Sequence, residues 1–136
     1  PLARQWLPLV IGDNRNSEPR NALHARFWTT TYPTTALLPM AALVKTVMRA
    51  DFSGVSFPAL FYYSRDDLVV DPTETAAFAN GWGGAVAVIH PQLGDGDDKY
   101  AHVIAGDIVS PQQTDFAVDE MLRWLSTQQG WPASGR

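Results

Sequence analysis

Asp67 and His102 are the residues of this chain whose types and surroundings best suit proton transfer. Asp67 lies in the segment PALFYYSRDDLVVDP at residues 58–72, and His102 lies in YAHVIAGDIVSP at residues 100–111. An imidazole can take a proton from a hydroxyl, while a carboxylate on its other ring nitrogen fixes the tautomer and stabilises the imidazolium. Asp67 is therefore a candidate for the acid of a hydrolytic triad, and His102 is a candidate for its base. The alternative is a solvated turn aspartate and an unrelated loop histidine.

The residues around these segments predict alternating strands and helices. PALFYY at 58–63 is a short apolar run, typical of a strand buried on both faces, and AVAVIH at 85–90 is rich in valine and isoleucine. Between them, Asp71, Pro72 and Glu74 combine an N-cap, a first-turn proline and a first-turn acid, which predicts a helix start. The order predicts two parallel neighbouring strands. We find only these two strand patterns in the sequence.

Catalytic groups in a parallel sheet lie in the loops that leave the carboxyl ends of its strands. Asp67 follows the first strand directly and His102 lies in the loop after the second, so we expect the two side chains to meet. Asp66 competes for the acid role, but the LVVDP that follows favours Asp67 and makes Asp66 a turn-capping residue. Asp107 is expected to hold backbone N–H groups of the histidine loop, and Ser110 is expected to cap the last helix.

Residues 1–54 contain bulky apolar side chains, Trp6 among them, separated by polar and proline-containing stretches. A helix is predicted with Pro39 at its first position, because an apolar stripe with helical spacing follows, formed by Met40, Leu43, Val44, Val47 and Met48. The polar stretch 12–21 predicts an exposed connection, and TTTYPTT at 29–35 predicts an irregular joint. The helices of this region either face a core or form a lid whose aromatic and methionine side chains line an acyl pocket.

The composition excludes several classes of partner. The net charge is −4 and Lys and Arg are not clustered, so the chain lacks the positive surface that binds nucleic acid. No apolar run approaches the roughly 18 residues that a membrane span needs, and the first residues lack the pattern of a secretory signal. A hydrophobic content of 46% with 18% charged residues indicates a folded protein, although the tail after Gln129 is expected to be loose. The sequence does not specify a compartment.

No metal or cofactor is expected. The chain has no cysteine, and its three histidines lie in distant segments that do not fit a zinc site. The loop GDGDD at 94–98 lacks the later glutamate of a calcium-binding loop, so we expect it to be flexible and solvated. We expect His24 on a helix surface rather than against a substrate, and His90 in a local hydrogen bond at a strand end.

The acid turn SRDDLVV at 64–70 and the histidine loop HVIAGD at 102–107 resemble those of the α/β-hydrolase family. On this resemblance Asp67 is the triad acid and His102 is the triad base, and their order along the chain matches that of the family. The nucleophile motif of the family, G-x-S-x-G, is absent from the sequence. The nearest string, SGVSFP at 53–58, lacks the second glycine and precedes the wrong strand.

The resemblance implies an α/β fold in which residues 55–136 form the C-terminal part of a doubly wound, mostly parallel sheet and residues 1–54 form a helical cap. It implies a serine hydrolase of the esterase, lipase or monoacylglycerol-lipase type, which acts on a small-molecule carboxylic ester without a cofactor. The serine would come from a missing N-terminal half of the fold, in the same protein or in a complementing chain. Peptidases of this fold stay open. The alternative is a non-catalytic binding or scaffolding domain derived from half of a hydrolase.

Overall fold

The computed structural model describes residues 10–128, whose contacts divide into two units between Ala50 and Asp51. The main helices are α1 (Ala22–Phe27), α2 (Leu37–Val47), α3 (Pro72–Asn80) and α4 (Thr114–Ser126). The strands are β1 (Asn14–Asn16), β2 (Thr31–Pro33), β3 (Ala59–Tyr62) and β4 (Val86–Ile89). Trp6 and the tail after Gln129 lie outside the described residues. No helix in the described range is long and apolar enough to cross a membrane.

The first unit contains a small antiparallel ribbon, formed by β1 and β2, that the sequence did not predict. The buried Thr34 closes this ribbon, because its hydroxyl donates to the carbonyl of Gly12 at 2.6 Å. The prediction of only two strands is therefore wrong, as is that of an irregular joint at 29–35. The stretch 12–21 is exposed as predicted, but it contains strand β1 rather than serving only as a connection. Both strands of the ribbon are exposed along their whole length, so neither carries the apolar alternation that marks a half-buried strand.

Helix α2 of the first unit begins at Leu37, so the prediction of Pro39 as its first residue is wrong. Pro39 still lies in the first turn, where backbone N–H groups have no partner inside the helix, and the proline therefore removes no hydrogen bond. The apolar stripe of α2 is open to solvent, with Met40 57% exposed and Leu43 64% exposed. The described residues therefore do not bury this stripe in a core.

The second unit is built on the strand–helix–strand arrangement that the sequence predicts. β3 and β4 pair in parallel, with Ala59 opposite Val86, and α3 connects them. Asp71 caps α3 by accepting the backbone N–H of Thr73 at 2.8 Å, and Pro72 is the first residue of the helix. The predicted order and parallel pairing are confirmed, but the prediction that the first strand is buried on both faces is wrong for the described residues, because β3 is only half-buried. The carboxyl ends of β3 and β4 lie at the same end of the strand pair.

An aromatic cluster joins β3 to the end of α3. The ring of Phe61 in β3 lies edge-on to the rings of Phe78 and Trp82, with centroids 6.0 and 6.3 Å away. Phe52 stacks on Trp82 at 5.8 Å, and the indole N–H of Trp82 donates to the carbonyl of Phe57 at 2.9 Å. Aromatic pairs with these geometries stabilise a core beyond the area that they bury. The cluster therefore attaches the segment before β3 to the turn that leads into β4.

The opposite face of β3 lies towards α4. Tyr62 follows Phe61 in the strand, so the two side chains point to opposite faces. Burial, together with the negative charge of Glu120 in α4, raises the pKa of the Tyr62 hydroxyl. Tyr62 therefore points away from Phe61 and the α3 side of the strand, and the charge of Glu120 acts on it there. Because β3 and β4 are the only parallel strands among the described residues, the larger sheet implied by the resemblance stays a prediction.

Gly84 precedes β4 where two backbone segments touch, and a Cβ there would overlap the carbonyl oxygen of Phe57. Gly84→Ala is expected to lower the free energy of unfolding by about 1–3 kcal/mol, because backbone rather than a flexible side chain must move. Gly94→Ala is the matched control, since a Cβ at Gly94 meets no atom within 4 Å. Urea denaturation measures both changes. Equal stability of the two variants would contradict the close approach at Gly84.

Candidate active site

The structure brings Asp67 and His102 together. The Nδ1 atom of His102 lies 2.8 Å from the Oδ2 atom of Asp67, within hydrogen-bond distance. The carboxylate is nearly buried, with 7% of its side-chain surface exposed, whereas the imidazole is 40% exposed. A buried acid behind an accessible imidazole is the arrangement in which the carboxylate orients the ring and the ring contacts a reactant.

The acid turn prepares Asp67 to receive this hydrogen bond. Its other oxygen, Oδ1, accepts the backbone N–H groups of Val69 at 2.8 Å and Val70 at 3.0 Å. Burial raises the pKa of Asp67, but the hydrogen bonds from His102, Val70 and Val69 outweigh that effect, so the pKa lies below its usual value of 3.8. The carboxylate is therefore ionised at neutral pH, and it is suited to accept a hydrogen bond from a protonated Nδ1 of His102.

Asp66, the competing acid, does not take part in the contact. Its side chain is exposed, and its backbone N–H donates to the hydroxyl of the buried Ser64 at 3.1 Å. A backbone hydrogen bond then links the acid turn to the histidine loop, because the N–H of Leu68 donates to the carbonyl of Tyr100 at 2.9 Å. The turn thus directs the second of the two adjacent aspartates towards the histidine.

Asp98 organises the histidine loop by binding its backbone N–H groups, a role that the sequence did not predict for this residue. It is only 4% exposed, and its carboxylate accepts the backbone N–H groups of Tyr100 at 3.0 Å, His102 at 3.3 Å and Val103 at 2.9 Å. The prediction that residues 94–98 form a flexible solvated loop is therefore wrong at this position. The signal in the sequence was an aspartate shortly before the histidine, but spacing alone does not separate it from its acidic neighbours.

Asp107 was predicted to hold the backbone N–H groups of the loop. Its side chain instead contacts Thr114. It accepts the hydroxyl of Thr114 at 3.3 Å, and that hydroxyl also accepts the backbone N–H of Gly106 at 3.1 Å. Asp107 therefore reaches the loop only through Thr114, and the prediction that it holds the backbone N–H groups itself is wrong.

Ser110 is fully buried and belongs to the histidine loop rather than to a helix cap. Its hydroxyl accepts the backbone N–H of Asp98 at 2.9 Å and donates to the carbonyl of Val103. It makes no side-chain cap hydrogen bond to the short 3-10 turn Pro111–Gln113 that precedes α4. The prediction of a Ser110 cap is therefore wrong, because the hydroxyl is used to close the loop across its base.

The other two histidines bond to backbone atoms. His90 Nδ1 lies 2.9 Å from the carbonyl of Tyr63, which follows β3. The predicted hydrogen bond at the strand end is therefore present, but its partner belongs to the neighbouring strand segment rather than to the local chain. His24 is buried, its Nδ1 accepts the backbone N–H of Arg20 at 3.2 Å, and its ring lies 5.1 Å from that of Trp28. The prediction that His24 lies on a helix surface is wrong, because this short helix turns its histidine towards the tryptophan that ends it.

The remaining ring nitrogen of His102, Nε2, makes no hydrogen bond to any of residues 10–128. In the neutral ring, an Nδ1–H that donates to Asp67 leaves the lone pair on Nε2, which is the form that accepts a proton. Exposed apolar side chains surround the acid turn, with Leu68 73% and Val69 59% exposed. The described residues contain no group of three His, Cys, Asp or Glu side chains placed to hold a metal ion.

A scan against protein-family models, a search of curated proteins and a search of solved structures found no match to this chain. What the site can do chemically therefore rests on its geometry. A nearly buried carboxylate lies 2.8 Å from Nδ1 of a partly exposed imidazole, and this contact favours the tautomer whose Nε2 can accept a proton.

Proposed function

We propose that this chain supplies the acid and the base of a serine hydrolase that cleaves carboxylic esters. The observation that carries the proposal is the 2.8 Å contact between the buried Asp67 carboxylate and the exposed His102 imidazole. A histidine oriented in this way is a general base that lacks only a hydroxyl to activate.

The proposed reaction is acyl transfer. A serine hydroxyl attacks the ester carbonyl carbon while its proton passes to Nε2 of His102, and Asp67 stabilises the imidazolium that forms. The tetrahedral intermediate then expels the alcohol, which takes the proton from Nε2. Water, deprotonated by the same nitrogen, attacks the acyl-serine, and the second tetrahedral intermediate releases the carboxylic acid while the serine oxygen takes the proton back from Nε2. Neither step needs a redox or metal cofactor.

We place the serine outside residues 1–136, because the sequence contains no G-x-S-x-G. The strand pair supports a further segment of the fold, since β3 and β4 pair only with each other among the described residues and Val86 and Val88 are exposed. Unpaired strand edges and exposed apolar side chains are surfaces that folded proteins usually cover. The missing N-terminal half, in the same protein or in a complementing chain, is the partner that fits both features.

An apolar acyl substrate suits the residues next to the catalytic pair. Leu68 and Val69 follow Asp67 directly and are exposed, so they place hydrophobic surface on one side of it. Small-molecule pockets are mostly apolar with a few polar groups that fix orientation. An ester with an apolar acyl group is therefore the substrate that we favour.

Labelling with a fluorophosphonate tests the proposal. The product of the complete reading frame is expected to form a covalent adduct at a serine outside residues 1–136, because a base-activated serine attacks phosphorus as it attacks a carbonyl. Mass spectrometry of the digested protein locates the adduct. Heat-denatured protein is the control, since labelling requires the folded site.

Two results would count against the proposal. Absence of any serine adduct in the folded protein would favour the non-catalytic binding or scaffolding domain. An adduct on a serine within residues 1–136 would show that the nucleophile had been placed wrongly, because no hydroxyl of residues 10–128 is hydrogen-bonded to the His102 ring.

A further inference from the structure

We propose that Asp98, braced by Ser110, is a positioning residue that sets the His102 imidazole against Asp67. The inference rests on the proposed function and extends it to two residues that do not touch the substrate. It is carried by the hydrogen bonds that close the backbone of residues 98–103 around one buried carboxylate.

The first argument is the cost of burying a charge. Asp98 is 4% exposed, and an ionised carboxylate in such a place is stable only when hydrogen bonds replace its water. Three backbone N–H groups supply them, those of Tyr100, His102 and Val103. Hydrogen bonds to an ionised acceptor are stronger than those between neutral groups. The carboxylate therefore holds the backbone on both sides of the His102 side chain.

The second argument is the strained backbone between Asp98 and His102. Ala101 has a φ of +51°, in the left-handed region that residues other than glycine rarely adopt. Its backbone N–H donates to the carbonyl of Asp98 at 2.7 Å. Strained residues persist where surrounding contacts over-determine their conformation. The contacts of Asp98 hold the turn that places His102 one residue later.

Ser110 fixes Asp98 in turn. Its fully buried hydroxyl accepts the backbone N–H of Asp98 at 2.9 Å and donates to the carbonyl of Val103. The hydroxyl thereby joins the two ends of the segment that contains His102. Asp98 and Ser110 act as one unit, because the Asp98 carboxylate binds the backbone within the turn and the Ser110 hydroxyl binds its two ends, at residues 98 and 103.

Asp98→Asn tests this role. An amide has one oxygen in place of two, so its NH₂ group would face a backbone N–H and the turn would open. In the complete hydrolase we expect kcat to fall by about a hundredfold with KM changed by less than about threefold, since small misplacements of catalytic groups have effects of that order. Asp95→Asn is the matched control, because Asp95 is an exposed acid of the same loop. Asp95→Asn should leave both constants unchanged.

A spectroscopic readout separates positioning from general stability. In the complete protein labelled with ¹⁵N-histidine, the Nδ1 proton of His102 should give a hydrogen-bonded signal that persists in Asp95→Asn and is lost in Asp98→Asn. A folded Asp98→Asn protein that keeps the signal and its kcat overturns the proposal. Loss of stability with an unchanged kcat per folded molecule also overturns it.

Ser110→Ala decides the matter if Asp98→Asn fails to fold. It keeps the carboxylate and removes only the hydroxyl that braces it, so we expect a smaller loss of kcat, about tenfold, and an Nδ1 signal that is weakened rather than lost. An unchanged kcat and signal in folded Ser110→Ala would overturn the proposal. The readouts also separate this inference from the proposed function: a protein without hydrolase activity can still show whether the Nδ1 signal depends on Asp98.

Discussion

Replacing His102 by alanine is expected to lower kcat/KM of the proposed hydrolase by about four orders of magnitude or more, because no other group among residues 10–128 within hydrogen-bond distance of the Asp67 side chain can take the serine proton. The loss should appear mainly in kcat, since the imidazole acts in the transition state rather than in binding the ground state. Hydrolysis of a short-chain p-nitrophenyl ester measures it.

His90→Gln is the control for the His102 result. Both histidines follow β4 along the chain, but the His90 ring bonds to the carbonyl of Tyr63. The amide of a glutamine at this position can also donate a hydrogen bond to that oxygen. We expect activity within about threefold of the unchanged protein, since surface and local changes of this kind are usually mild. A large loss in His90→Gln with a mild one in His102→Ala would exchange the roles of the two histidines.

Asp67→Asn is expected to lower kcat by about 10⁴-fold while leaving the fold intact, because an amide at this place favours the wrong tautomer of the base. The physical cause is visible in the contact itself. The carboxylate accepts from Nδ1 of His102, whereas an asparagine NH₂ directed at that atom would donate to it and shift the proton to Nε2. Single-turnover kinetics on the same ester isolates the chemical step.

Asp66→Asn is the matched control for Asp67→Asn. The two residues are adjacent and carry the same charge, but the Asp66 side chain is exposed and only its backbone N–H is bonded, to Ser64. We expect a change in kcat of less than about threefold. If Asp66→Asn were the costly change and Asp67→Asn the mild one, the contact with His102 would not be the catalytic one.

Much of the second unit could be predicted from its sequence, because the signals that define it are local. The apolar run at 58–63 and the valine-rich run at 85–90 became β3 and β4, and Asp71 with Pro72 began α3. Each of these features depends on residues within one turn or one strand. The first unit was harder to predict, since its ribbon is held by Thr34 bonding across the chain to Gly12 rather than by a periodic pattern.

Within the candidate site, the sequence alone determined the residue types, their order and their positions after two parallel strands. It favoured Asp67 over Asp66, but both are aspartates in one turn. Only the tertiary structure decided which carboxylate reaches His102, because Asp67 and His102 are 35 positions apart along the chain. The local hydrogen bonds from the N–H groups of Val69 and Val70 orient Asp67 but do not by themselves bring the histidine to it.

The roles of Asp98 and Ser110 were decided by tertiary structure alone. Read along the chain, one is an acid in a glycine-rich loop and the other is a serine before a proline, which are ordinary marks of a solvated loop and a helix cap. Folding removes both from solvent, and a buried polar group must find a partner. The nearest partners of Asp98 and Ser110 are the backbone groups around His102. The sequence thus determined which residues could do chemistry, and only the packing of the folded chain determined which residues hold them in place.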